Sequence, residues 1–316
     1  MRTLPRHLPW LAALLAAIVV ATLVAFGVAW LTAPSIADLQ ARVRATDRAL
    51  GARPVRLHAV APVMREAIVA TEDERFYRHD GIDVVGILRA IPYDAAHLSL
   101  AEGASTITEQ LAKLIYLGGN DHNPWAKLRD AAIALRIEAA YSKDRILDDY
   151  LNTVYFGAGA YGVEAASERY FGVPASRLDL ARASLLAGLV QDPSADEPYA
   201  APLDARQRQA AALTSMVRNG FATAAEARRA LVAPMRLASG RGLRPLRGVS
   251  IVPGPPFYWA ELGVGLGLLA LGIAGLVGLR RAGPRLARLA RAGSRLAAGL
   301  AVVAGTFLVL GSFRGV

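Results

Sequence analysis

The chain has 316 residues, 36 Lys and Arg against 26 Asp and Glu, no Cys, and 54% hydrophobic residues. That length holds one large domain or two small ones, and the lack of Cys excludes a disulfide scaffold, a Cys-ligated zinc site and a thiol nucleophile. The net charge of +10 is unevenly placed: residues 34–256 hold 27 basic and 25 acidic side chains, while nine Arg in the two ends face the single acid Glu261. Basic flanks around a nearly neutral domain are a membrane pattern rather than a nucleic-acid one.

Trp10 to Leu31 is a run of 22 residues without a charge, preceded by Arg2 and Arg6. As a helix it is long enough for a hydrocarbon core of about 30 Å. A cleaved signal peptide would have a shorter apolar region, so the run is expected to stay as an anchor. A second apolar run, Phe257–Leu279, opens on the aromatics Phe257, Tyr258 and Trp259, and a third spans Leu296–Phe313. Six Arg and no acid lie between them, at 280, 281, 285, 288, 291 and 295. The positive-inside rule puts the N-terminus and this loop in the cytoplasm, and the intervening domain outside it. The expected division is 1–33 cytoplasmic N-terminus and anchor, 34–238 extracytoplasmic domain, 239–256 linker rich in Gly, Pro and Arg, and 257–316 a two-span hairpin. A buried or amphipathic hairpin is the competing reading for the last segment.

Helix signals dominate the outer domain, and strand alternation is scarce. Ser105 precedes TITEQLAKLIYL, which ends at Gly118-Gly119. Asn123 and Pro124 open WAKLRDAAIALRIEAAY in the order expected of a cap and first helical residue. Ser142, Asp179 and Thr223 stand as N-caps before KDRILDDYLNTVY, LARASLLAGLV and a capping-box helix closed by Glu226. Gly157, Gly159 and Gly162 predict a tight connection.

Three features carry candidate chemistry. The run from Glu72 to Asp83 (EDERFYRHDGID) is dense in ionisable groups, and a carboxylate there could act as a general base; alone, such a run is more often a solvated face. The segment GASTITEQLAK (103–113) is a small-residue turn opening a helix, a setting that suits anions or simple capping. The chain uses 33 Arg but three Lys, and Lys113, Lys127 and Lys143 fall within 31 residues. An ammonium is a compact charge suited to phosphate oxygens. Lys127 and Asp130 are i,i+3 neighbours on one helix.

Together, EDERFYRHDGID (72–83), GASTITEQLAK (103–113), YSKDRILDDYLNTVYFGAGAYGVEAASERYFG (141–172) and LLAGLVQDPS (185–194) resemble the peptidoglycan glycosyltransferases, both the transglycosylase domain of class A penicillin-binding proteins and the monofunctional enzymes. The resemblance runs from about His58 to Leu237. It implies a mainly α, lysozyme-like glycosyltransferase domain in the bacterial cytoplasmic membrane with its catalytic domain outside; the apolar runs add one N-terminal and two C-terminal transmembrane helices, and the C-terminal pair is not part of the family's usual monofunctional layout. It implies polymerisation of lipid II onto a nascent glycan strand with release of polyprenyl pyrophosphate. By the family pattern Glu72 is the general base and Asp130 the second catalytic carboxylate. Asp73, Phe76 and His79 shape the acceptor side; Ser105, Thr106, Gln110 and Lys113 line the donor's sugar and pyrophosphate, and Lys127 is the phosphate-binding lysine.

The implied partners are lipid II, the glycan strand, the membrane and other cell-wall synthesis proteins, with no nucleic acid. No cofactor is assigned; a divalent cation is compatible with a pyrophosphate, but no cluster has metal-site spacing. The sequence departs from the family in four places: Ala126 and Asp130 replace the first Arg and the Glu of Arg-Lys-x-x-Glu, Glu109 stands where a glutamine is usual, and Arg182 replaces an acid. These changes touch the donor side. They leave open a catalytically impaired, lipid II-binding scaffold. A glycan-cleaving enzyme and a generic membrane protein with a helical ectodomain are the remaining alternatives.

Overall fold

The computed structural model describes residues 8–87, 105–117, 124–246, 248, 249 and 251. Gly118, Gly119, Asn123, both C-terminal apolar runs and the basic loop lie outside these residues. The chain divides into two compact units: Met1–Thr32 with Val84–Ala101 and Phe257–Val316, and Ala33–Asp83 with Glu102–Pro256. In the first, helix α1 (Leu8–Thr32) covers the N-terminal apolar run. Among the described residues no helix is long and apolar enough to cross a membrane; in α1 the described side chains are Ala17 and those from Val20 onward.

The second unit is mainly helical, as expected. Helix α2 (Leu39–Leu50) buries Leu39, Val43 and Asp47, one face at i, i+4, i+8, and ends at Gly51 in the left-handed region (φ 67°). Helix α3 (Pro62–Glu72) starts on proline and buries Met64, Ala67, Ile68, Val69 and Ala70. Next come α4 (Ile107–Ala112) with a π turn at Lys113–Leu117, α5 (Pro124–Ala140), α6 (Lys143–Thr153) and α7 (Val163–Phe171). The closing helices are α8 (Leu180–Leu189), α9 (Pro202–Arg218) and α10 (Ala224–Val232). Two short antiparallel strands follow, β1 (Met235–Arg236) and β2 (Gly242–Leu243). Helix α4 packs between α5 and α6, and α3 packs on α8 and α9.

Local signals set most helix starts. Ser142 and Asp179 accept the N3 amides of Arg145 and Arg182, and Thr223 forms the full capping box with Glu226. One start moves: the cap before α4 is Thr106, not Ser105, because only Thr106 stands three residues before Glu109, whose carboxylate closes the box. Part of the segment read as a linker packs down, with Ile251 buried in a cluster with Leu213 and Leu231.

Helices α8 and α9 cross closely at Gly188, where a Cβ would lie 2.7 Å from the Arg208 carbonyl carbon and oxygen. Backbone cannot yield as a flexible side chain can. Gly188→Ala is therefore expected to cost about 1–3 kcal/mol as overpacking, read as a melting temperature several degrees lower. An unchanged melt would mean that the two helices separate freely.

Helix α2 docks on α6 through an acidic contact. Buried Asp47 accepts from Thr153 Oγ1 at 3.2 Å. Burial pushes its carboxyl up from 3.8 to about 6, with Asp149 and Asp148 adding to this against the Thr153 hydrogen bond. The folded protein thus holds a proton that the unfolded chain has lost, so this contribution to stability is present at low pH and fades as pH rises through about 6. Asp47→Asn keeps an acceptor for Thr153 without the charge. Its melting temperature is expected to exceed the parent's at pH 8 and to converge with it only below the unfolded value of 3.8, at about pH 3. A gap that does not vary with pH would rule this titration out.

Candidate active site

Helix α3 delivers Glu72 at its last turn, and Asp73 breaks the helix with φ −158° and ψ 76°. The ionisable run beyond is partly wired into the fold, while Tyr77, Arg78 and Asp80 are exposed. Asp73 accepts from His79 Nε2 at 2.9 Å and from the Ile107 amide at 3.0 Å. His79 Nδ1 accepts from the Gly81 amide at 3.2 Å, which fixes the proton on Nε2. Arg75 pairs with Asp83 at 2.9 Å. Asp73 and His79 are buried and Phe76 is fully so. Of these three, expected to shape the acceptor side, Asp73 ties the end of α3 to the start of α4, His79 holds Asp73, and Phe76 packs edge-on to His79.

Thr106 is also buried. Its hydroxyl donates to Gly81 O at 2.6 Å and accepts the Glu109 amide at 3.1 Å, while its own amide donates to Glu109 Oε2 at 2.8 Å. The amides of Thr106, Ile107 and Glu109 are thus spent on protein acceptors. Of the two readings of this helix start, anion site or capping, capping describes these three amides. The same geometry explains Glu109, which turns back to cap its own helix. Burial raises its carboxyl, Thr106 and Lys127 oppose that rise, and Asp130 adds to it.

Gln110 sits against Glu72. Its Nε2 donates to Glu72 Oε2 at 2.9 Å, and its Oε1 accepts from Tyr150 Oη at 2.7 Å. Burial raises the half-buried Glu72 carboxyl; the Gln110 hydrogen bond and the charge of Arg208 oppose this, and Asp73 adds to it. A raised carboxyl suits a base working near neutrality. Tyr150 escaped the sequence reading, although a buried tyrosine hydroxyl usually finds a partner.

Gln110 lies on α4, Thr106 is its N-cap and Lys113 opens the π turn that follows. Helix α5 faces the start of α4: exposed Lys127 donates through Nζ to Ser105 Oγ, and Asp130, one turn on, is buried. Ala126 is buried as well, so no cation replaces the arginine at that position. The third lysine leaves the group. Lys143 Nζ lies 2.6 Å from Glu138 Oε1 and 4.5 Å from the centre of the Phe76 ring, inside the fold. Arg182, on α8, lies over the ring of Phe171 at the end of α7. Among the described residues no three His, Asp or Glu side chains are grouped to hold a metal ion.

Residues 40–217, more than half of the chain, match the transglycosylase family model. The chain belongs to the transglycosylase family. A Cupriavidus necator protein named as a transglycosylase is 47% identical over 173 residues, covering 54% of this chain and 73% of that protein. Penicillin-binding protein 1A of Neisseria flavescens is 41% identical over 161 residues, 51% of this chain and 20% of its own length. Penicillin-binding protein 1F of Bacillus subtilis is 39% identical over 174 residues, 55% of this chain and 24% of its own length. This chain therefore spans only a small part of the two penicillin-binding proteins. In this transglycosylase-family chain, the matched region contains every side chain of the candidate site, from Glu72 to Tyr150.

Proposed function

We propose that the chain is a membrane-anchored peptidoglycan glycosyltransferase that polymerises lipid II. The observation that carries this reading is Glu72, a half-buried carboxyl with a raised proton affinity, aimed by Gln110 and standing against the helix whose start meets Lys127. Glu72 takes the proton of the acceptor 4-hydroxyl as that oxygen forms its bond to the donor's anomeric carbon. The bond from that carbon to the pyrophosphate oxygen breaks with inversion, and its electron pair leaves on the polyprenyl pyrophosphate. Lys127 and Lys113 supply positive charge where negative charge develops, which is a large catalytic contribution. Asp130 keeps a carboxylate near Lys127 in place of the longer family residue. The test is extension of labelled lipid II into glycan strands by the purified full-length chain in detergent. A chain that retains lipid II without extending it is a scaffold, and the proposal fails.

In this reading α1 stays in the membrane, residues 34–238 lie outside the cytoplasm, and the arginine-rich loop lies within it, held by two C-terminal spans. The charge-free sequence of α1, Arg2 and Arg6 before it and the six Arg between the C-terminal runs support this arrangement. The lack of native Cys makes it directly measurable. In intact spheroplasts a membrane-impermeant maleimide is expected to label Ser35→Cys and to spare Ser294→Cys until the cells are lysed. Equal labelling of both would overturn the topology.

A further inference from the structure

Tyr150 is fully buried on α6, where its hydroxyl needs a partner. It donates to Gln110 Oε1 at 2.7 Å, and Gln110 Nε2 donates onward to Glu72 Oε2 at 2.9 Å. The two ends of the amide are not interchangeable in this chain of bonds. With its oxygen taken by the phenol, Gln110 presents NH2 to Glu72, whereas a flipped amide would set its oxygen against the carboxylate.

We propose that Tyr150 is a positioning residue for the base: by fixing the Gln110 amide, it commits Glu72 Oε2 to a hydrogen bond and leaves Oε1 to take the acceptor's proton. This rests on Glu72 being the base. Burial holds the Tyr150 phenol well above its usual range, with Glu72 and Asp73 adding to this, so the hydroxyl remains a donor at working pH. The charged and titratable groups acting on Glu72 are Asp73 beside it and Arg208 from α9, with the Tyr150 phenol facing it from α6.

An NH2 donor favours the ionised carboxylate, and an amide free to flip favours the protonated one. In the lipid II assay, Tyr150→Phe is expected to lower kcat at pH 7 by roughly three- to ten-fold and to move the acid limb of the pH–rate profile up by about half to one pH unit. The rate should return toward the parent's at pH 9, with KM for lipid II unchanged. Gln110→Ala should move the limb in the same direction, and adding Tyr150→Phe to it should cost nothing more, because the tyrosine acts through the amide. A limb that stays in place in either variant, or losses that add, overturns the proposal. Glu72→Gln separates the two levels. If that variant polymerises at the parent's rate, the base assignment itself falls; if it is inactive while Tyr150→Phe keeps the parent's profile, only the positioning role falls.

Discussion

Glu72→Gln is expected to abolish measurable polymerisation while leaving the protein as stable as its parent, or more so. The loss should be roughly a hundred- to ten-thousand-fold, the range that general bases contribute. The amide keeps the size of the side chain and can offer its oxygen to Gln110 Nε2, so the 2.9 Å contact has an acceptor after the change. What then faces the acceptor hydroxyl is an NH2, a donor that cannot take a proton. The stability part follows from the raised carboxyl, which burial drives above the unfolded value. Such a group contributes less to stability as pH rises through its folded value, because ionising it in place is costly. Removing the charge lifts that penalty above this pH and leaves stability at pH 4 near the parent's. Activity is read by lipid II extension and stability by melting at pH 4 and pH 8. Rapid polymerisation by this variant would assign the base elsewhere. A lower melting temperature at pH 8 would mean that the ionised carboxylate is a structural anchor.

The parts of this site that sequence reveals are those decided within a few residues. Ser142, Asp179 and Thr223 cap their helices because a hydroxyl or carboxylate three residues before a free amide is a local arrangement. The shift of the α4 cap from Ser105 to Thr106 is local too. The Thr-x-x-Glu spacing of Thr106 and Glu109 carries it, and the same spacing makes Glu109 a capping residue. Partners far apart in the chain were not legible. Asp73 meets the amide of Ile107, 34 positions on, and Tyr150 meets Gln110 across 40 positions. Neither periodicity nor composition specifies such pairs; only the packing of α4 between α5 and α6 does. That packing also divides the three lysines, which look equivalent as a cluster in sequence. It holds Lys143 against Glu138 and leaves Lys127 on the surface.

That division sets the second large effect. Lys127→Met is expected to lower kcat for lipid II extension by about a hundred-fold, comparable to removing one fixed donor from a developing anion, with little change in melting temperature. The ammonium has three donors, and its described hydrogen bond is to Ser105 Oγ at an exposed position, while buried Glu109, whose charge it favours, keeps its Thr106 hydrogen bonds after the change. Lys127→Arg should recover part of the rate, since it keeps the charge but spreads it over a wider planar group. Lys143→Met should behave in the opposite way. It removes the partner of a Glu138 side chain that is 5% exposed and the cation over Phe76, so it should lower the melting temperature by several degrees before it lowers turnover. A buried carboxylate left without its cation is among the costlier single changes. If Lys127→Met extends lipid II at the parent's rate, the departing pyrophosphate is steadied elsewhere. If both variants lose turnover alike at full stability, the two lysines serve one anion, and the separation drawn by their contacts does not hold.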